Sequence, residues 1–400
     1  MDTTNLPRTI NATQMKWVNR SAVLELIRQH SPIARSEISR LLKLSMPTAM
    51  RIVDELIKDD LVRSTGETAG VTGRPRELLE YNKNGGAVIG IDLGGTKLYG
   101  ALATIGGEIF GEVIKNQHDT SGDKSFELVA EMVSSLIVLA KDKNIKLLGI
   151  AVGAPGITHV EKGVVEWAPS LNWRDFPLKK RLGERFQLPV VVDNDVNLAV
   201  LGEQWFGAGR GVSNLVLLAI GTGMGAGLVV DGIIYRGHNE SAGEVGYLIP
   251  EPKALASRYD QFGAMESVIS GLGIAERAKR ILIKTESQEF VNTIDASEVF
   301  KAARNGKDWA LKVVDETVDY LCLTLANIST VLDPELVILS GGVSNSYDQL
   351  IPPILKKMEG VIQHIPRIEV SQLGSKATAM GAISLILHLT KDYYVVRRLY

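Results

Sequence analysis

The sequence predicts an α/β protein: an N-terminal winged helix-turn-helix followed by a two-lobed body of the actin-like ATPase type. Three observations carry that expectation. The first eighty residues hold three short apolar-periodic segments, then a Gly-Arg-Pro loop between two β-like runs. Glycine-rich turns recur at "DLGGTK" (92–97), "GTGMG" (221–225) and "SGGVS" (340–344), each after a β-rich run. The first two lie about 130 residues apart, a spacing that suits duplicated half-domains. At 400 residues the chain is too long for one core. The expected units are 1–82 for the head, 83–197 with a C-terminal helix at about 375–400 for a smaller lobe, and 198–374 for a larger one.

Composition sets the class. Hydrophobic residues at 45% and charged residues at 22% are ordinary for a soluble globular chain. No apolar run reaches the roughly 18 residues of a membrane span, and the N-terminus lacks the basic-then-apolar pattern of a secretory signal. One cysteine, Cys322, cannot form an internal disulfide, which fits a reducing cytoplasm, and a buried helix position accounts for it. The net charge of −2 is unevenly spread: residues 1–53 carry eight Lys and Arg against three acids, a balance of +5, leaving −7 for the rest. A basic head on an acidic body points to a polyanion for the head alone.

The head reads as helix, helix, turn, helix. Residues 17–30 place Val18, Ala22 and Leu26, with Val23 and Ile27, at helical spacing. The segment 35–44 offers Ser36 as N-cap and Ile38, Leu41 and Leu42 for burial. The segment 45–61 opens with Ser45 as N-cap and Pro47 in the first turn, and its apolar stripe is Ala49, Ile52, Val53, Leu56 and Ile57. Thr48 and Arg51 lie on the opposite face, so the N-terminal end of this helix suits a major groove. Its C-terminal end is acidic (Asp54, Glu55, Asp59, Asp60) and cannot face phosphate. The runs "LVRST" and "RELLEYN" then flank "GRPR" (73–76), a narrow cationic tip in which Arg74 and Arg76 could reach a minor groove.

In the body, "AVIGID" is a buried strand and "GGT" a tight turn. Gly94 and Gly95 let backbone N–H groups approach a phosphate, Thr96 and Lys97 add a hydroxyl and a cation, and Asp92 could hold Mg²⁺ through water. Gly221, Thr222 and Gly223 make the second turn, and Gly341 and Gly342 a third that would floor an adenine site. "VVDNDVN" ends a strand with an amide beside a carboxylate. A kinase needs such a carboxylate to accept a hydroxyl proton.

Residues 85–390 resemble the ROK family throughout, through "GIDLGGTK", "GIAVGAPGIT" (149–158), "VVDNDVNLAVLGEQWFGAG" (191–209), "SAGEVGY" (241–247) and "GAMESVISG" (263–271). With its head the chain is most similar to that family's repressors responding to xylose, N-acetylglucosamine and glucose, and "SLNWRDFPL" (170–178) resembles the xylose type. The resemblance implies that Asp195 is the base of any kinase reaction and that Asn194 holds a sugar hydroxyl. It further implies that Glu244 and Glu266 grip the sugar, with backbone at Gly153 and the side chain of Asn172 completing the cup. The chain departs from the family in one loop. The usual Gly-His is Gly246-Tyr247 and the cysteine run is missing, so no zinc is expected, and packing by Tyr247, Leu248, Ile249, Tyr259 and Phe262 should hold the loop instead.

The resulting expectation is a sugar-responsive transcriptional repressor of carbohydrate-utilisation genes. It would be a cytoplasmic homodimer or tetramer on double-stranded, palindromic operator DNA, released by a monosaccharide or small glycoside, with no required cofactor and no membrane contact. The alternative is an ATP-dependent sugar kinase, using Mg-ATP, with a DNA-binding head.

Overall fold

The computed structural model describes residues 12–69, 76–94, 97–117, 122–259 and 262–389. The head comprises α1 (Ala12–His30), β1 (Ile33–Ala34), α2 (Arg35–Leu41), α3 (Met46–Lys58), β2 (Val62–Ala69) and β3 (Arg76–Tyr81), with strand order β1-β3-β2. Val23, Ile27, Ile38, Ala49, Ile52, Val53, Leu56 and Leu79 are buried together. Ser45 caps α3, its hydroxyl accepting from Thr48 N–H at 3.3 Å. Ser36 does not cap α2. The extended pairing of Ile33 and Ala34 with Leu79 and Leu78 runs to Ala34. The helix therefore starts at Arg35, and the Glu37 carboxylate accepts from Ala34 N–H. The wing strands β2 and β3 pair antiparallel, while the tip bearing Arg74 lies outside the described residues.

The first body sheet holds β4 (Ala87–Leu93), β5 (Lys97–Thr104), β6 (Ile109–Asn116), β7 (Leu147–Ala154) and β11 (Val190–Asn194), in the order β11-β7-β4-β5-β6. Helix α4 (Asp123–Asp142) joins β6 to β7. Between β7 and β11 come a small antiparallel sheet of β8 (Ile157–His159), β9 (Val164–Ala168) and β10 (Trp173–Phe176), then α5 (Leu178–Phe186). Helix α6 (Asp195–Phe206) leads to the second sheet of β12 (Leu215–Ile220), β13 (Met224–Val230), β14 (Ile233–Ile234), β15 (Leu336–Ser340) and β16 (Arg367–Val370). Its order is β14-β13-β12-β15-β16. In each sheet three strands of an antiparallel meander continue into two parallel strands, so the duplication read from the glycine turns is also one of topology.

Helices α7 (Glu266–Ile269), α8 (Gly271–Leu282), α9 (Gln288–Thr293), α10 (Ala296–Arg304), α11 (Asp308–Leu332) and α12 (Tyr347–Met358) build a core against the second sheet. Cys322 sits half-buried on α11, beside the Ile354 carbonyl. The last described helix, α13 (Ala377–Leu389), packs on α6, β4 and β7. Small residues make that possible: a Cβ on Gly381 would stand 1.7 Å from the Leu198 carbonyl oxygen, and one on Gly202 2.1 Å from that of Ala377. One hydrophobic cluster runs through Val23, Ile27 and Tyr81 of the head, Ile105, Leu198 and Leu201, Ile383 of α13, and Leu217 and Ile338 of the second sheet. Head and body thus share a core. Among the described residues no helix is long and apolar enough to cross a membrane.

Candidate functional site

The carboxyl ends of the parallel strands of the first sheet converge. Asp92 of β4 and Asp193 of β11 both pair with Gly153 of β7, so the three residues share one rung. Asp195 opens α6 two residues later, at the crevice where open α/β sheets bind ligands. Gly153 keeps the centre of that rung bare, since a Cβ there would meet the Thr378 methyl at 2.4 Å and the Asp195 Cα at 3.1 Å.

Asp193 is the anchor. Its carboxylate is fully buried against Arg236, accepts from Asn194 N–H at 2.8 Å and from Asn197 Nδ2 at 3.3 Å, and so holds the strand end rigid. The Asn194 side chain has its own structural duty. Its Oδ1 caps α6 by accepting from Val196 and Asn197 N–H at 2.9 and 3.1 Å, and its Nδ2 donates to the Gly156 carbonyl at 3.0 Å. One Nδ2 hydrogen remains for a ligand, so Asn194 can donate but scarcely accept.

Four carboxylates influence one another in series, Asp92 with Asp195, Asp195 with Glu244 and Glu244 with Glu266. Burial, reinforced by the Asp195 charge, pushes Asp92 up to about 8. Burial pushes Asp195 up to about 7, against the Val196 N–H that it accepts and with a further push from Glu244. Burial and Glu266 raise Glu244. Glu266 accepts from Met224 N–H at 2.9 Å and Gly263 N–H at 3.0 Å. It thereby ties the glycine turn between β12 and β13 to the loop before α7. The structure thus brings Asp92, Gly153, Asn194, Asp195, Glu244 and Glu266 into one neighbourhood. Asn172 is placed differently. It is exposed in the left-handed conformation (φ 53°) after a 3-10 turn, and none of its hydrogen bonds reaches the carboxylates.

Tyr247, in place of the family's usual histidine, follows Glu244 on a 3-10 turn, and burial, Glu244 and Glu266 raise its phenol. The expectation that apolar packing holds its loop is met only in part: Leu248 packs against the core of the second sheet and Tyr259 is half-buried, but Tyr247, Ile249 and Phe262 are 49%, 42% and 42% exposed. Backbone contacts add to the hold. Met265 N–H donates to the Leu248 carbonyl at 3.1 Å, and Gly263 lies so close that a Cβ would stand 2.1 Å from the Gly246 carbonyl oxygen. Among the described residues no cluster of His, Cys, Asp and Glu is placed to hold a metal ion.

Of the turns expected to hold a nucleotide, Gly94 donates its N–H to the Lys97 carbonyl at 3.1 Å, and Gly95 and Thr96 lie outside the described residues. The Gly221–Gly223 turn closes by Gly221 N–H to the Gly223 carbonyl at 2.9 Å, leaving Thr222 exposed. Gly341 has φ 84°, and a Cβ there would stand 2.4 Å from the Ile220 carbonyl oxygen; Gly342 is open. These geometries satisfy tight-turn needs, with Thr222, Gly341 and Gly342 exposed and Gly94 and Gly221 half-buried.

The second candidate surface is on the head. Ser45, Pro47 and Arg51 are exposed, while Thr48 is half-buried with its hydroxyl 2.8 Å from that of Ser45. Arg76 is exposed where β3 begins. The sequence reading missed how much of the head's charge is internal. Arg20 pairs with Asp59 and Arg35 with Asp54, each at 2.6 Å, and Lys16 with Glu55 at 3.0 Å. Glu55 of α3 and Asp59 at its C-cap therefore clasp α1, while Asp54 pairs with Arg35 of α2 from an exposed position.

The two surfaces are joined by α6. Asp195 is its first residue and Trp205 its eleventh, and the Arg28 guanidinium of α1 lies 4.2 Å over the Trp205 ring. Beside it, the Tyr81 hydroxyl donates to the Ile105 carbonyl at 3.0 Å, and a Cβ on Gly107 would stand 2.6 Å from the Phe206 ring. No sequence signal pointed to this junction, because cation–π partners 177 positions apart leave no periodicity.

Comparison with known proteins adds the following. The ROK family model matches residues 88–388. A putative xylose repressor from Caldicellulosiruptor sp. (strain Rt8B.4) is 31% identical over 389 residues, covering 94% of this chain and 97% of the relative. A glucokinase from Halalkalibacterium halodurans is 36% identical over 309 residues, 73% of this chain and 92% of the relative. The crystal structure of a ROK family transcriptional regulator, a homolog of the E. coli MLC protein, superposes with TM-score 0.83 at 25% identity over 96% of this chain and 99% of that one. The repressor-named relative and the regulator structure align over nearly the whole length, head included, whereas the glucokinase leaves about a quarter of this chain unmatched.

Proposed function

The chain belongs to the ROK family, and from that premise we propose that it is a sugar-responsive transcriptional repressor. The supporting observation is the junction at α6: one helix starts at the ligand-side carboxylates and ends against the head, within a shared core.

In this reading the head, 1–82, binds double-stranded operator DNA through Ser45, Pro47, Thr48, Arg51, Arg74 and Arg76. The sugar lies against Gly153, Asn194, Asp195, Glu244 and Glu266, with Asn172 at the margin. Carboxylates suit vicinal hydroxyls because each can accept from two. The lobes are 83–197 with the C-terminal helix, and 198–374. Two heads on a twofold body would read a pseudo-palindrome. Sugar binding shifts the protein toward its DNA-released state in proportion to its differential affinity for the two states.

One observation favours phosphoryl transfer as a second reading. Asp195, pushed to about 7, suits a general base near neutral pH. Asp92 and the turns at Gly94, Gly221 and Gly341 would then meet Mg-ATP.

Both readings face one experiment: binding of selected operator DNA, and ADP release, measured across a panel of sugars with and without Mg-ATP. The repressor reading expects a sugar that weakens DNA binding, an effect lost in Glu244→Ala while sugar-free DNA binding stays intact. It fails if no sugar alters DNA binding while Mg-ATP and a sugar turn over rapidly. Asp195→Asn must abolish any turnover.

A further inference from the structure

The outward face of α3 carries two methionines that the fold does not use. Met46 and Met50, one turn apart, are 40% and 44% exposed, beside exposed Pro47 and Arg51. The helix does not lack an inner face: Ala49, Ile52, Val53 and Leu56 are fully buried on the other side. The surroundings say what the outer face suits. Arg40 and Lys43 are exposed just before the helix. The positive end of its dipole is there. The acids beside this face are paired: Asp54 with Arg35, whose guanidinium also lies 3.4 Å from the Met50 carbonyl oxygen, and Glu55 with Lys16 and, at 3.7 Å, with Arg51. An apolar centre within a cationic frame matches a groove whose floor bears methyl groups and whose walls are phosphate.

We propose that Met46 and Met50 determine sequence specificity by packing on thymine C5-methyl groups in the major groove, so that each half-site places A·T pairs under the N-terminal turns of α3. Thioether side chains are unbranched and polarizable, and they close on a methyl without demanding one hydrogen-bond geometry. This inference rests on the DNA-binding reading of the head.

The test uses the full chain and the duplex it selects from a random-sequence pool. Each thymine is then replaced singly by deoxyuridine, which removes the methyl and keeps the base pair. One or two thymines per half-site should weaken binding about fourfold each, the worth of one buried methyl. Met50→Ala should weaken binding to the thymine duplex by a similar factor and leave binding to the deoxyuridine duplex at those positions nearly unchanged. Arg51→Ala should weaken both duplexes alike. Unchanged thermal unfolding of each variant separates lost contact from lost fold. If every deoxyuridine duplex binds like its parent while selective, salt-dependent binding persists, the methionine assignment is wrong and the DNA reading stands. If no duplex is enriched, both fail.

Discussion

Asp195 and Asp92 hold protons more tightly than free carboxyls because the fold takes them out of water and sets one beside the other. Their ordinary value is 3.8, against about 7 and about 8 in the fold. Raised values mean that their contribution to stability is fully present below the ordinary value and is lost as pH rises through 7 to 8. The ligand-free protein should therefore become less stable in urea between about pH 4 and pH 8, with a slope approaching about 1.4 kcal/mol per pH unit for each proton released on unfolding. Asp195→Asn should flatten part of that slope, and stability rising with pH across this window would refute the assignment. A sugar whose hydroxyls donate to Asp195 favours the ionised form, so sugar affinity should increase over the same interval. Asp193 is fully buried beside its partner Arg236, and Arg236→Met would leave the carboxylate unpaired and should cost roughly 3–5 kcal/mol in urea denaturation. At this scale the sequence was legible where chemistry and backbone coincide. "VVDNDVN" announced both Asn194 and Asp195, yet nothing in it said that Asn194 would spend its oxygen on a helix cap.

The elements were legible to the extent that their signals are local. Ser45 and Pro47 marked the start of α3, and the glycine turns marked the strand ends of both sheets. Ser36 misled because the cap of α2 is decided by the pairing of β1 with a strand more than forty residues away. The loop around Tyr247 misled in part: of the apolar side chains that suggested packing, Leu248 and Tyr259 are partly buried, but Tyr247 and Phe262 are exposed, and Glu266 and the backbone at Gly263 add the hold. The contact between α6 and α13 is the tightest element-level feature. Gly202 and Gly381 bring the two backbones together where any Cβ would collide with a carbonyl. Gly381→Ala should therefore force the helices apart and destabilise the protein by about 1–3 kcal/mol or more, beyond any gain in helix propensity. Calorimetry would check this, and an unchanged or higher Tm would mean that the helices separate freely.

The whole molecule binds small ligands and DNA only usefully if the two events are coupled, and coupling needs an element that both can bias. Helix α6 spans 12 residues, about 18 Å, with its first residue in the proposed ligand site and Trp205 under Arg28. If sugar binding shifts Asp195, as the proposed reading requires, Trp205 moves or the α13 contact is strained, and the close approach at Gly202 resists strain. Moving Trp205 alters the seat of α1, which clasps α3 through Arg20–Asp59 and Lys16–Glu55. Couplings of this kind are worth about 1–3 kcal/mol, roughly 5–150-fold in affinity, and are reciprocal. The sugar that weakens operator binding must itself bind more weakly, by the same factor, when operator DNA is present. Trp205→Ala should leave sugar affinity without DNA within about twofold, because Trp205 is remote from the carboxylates, and should shrink both coupling factors together toward one. Arg28→Ala should do the same by removing the other half of the stacked pair. Calorimetric titration of sugar into free and DNA-bound protein, for wild type and both variants, measures the factor from one side, and DNA titration with and without sugar measures it from the other. Full coupling retained in both variants would place the relay elsewhere than α6.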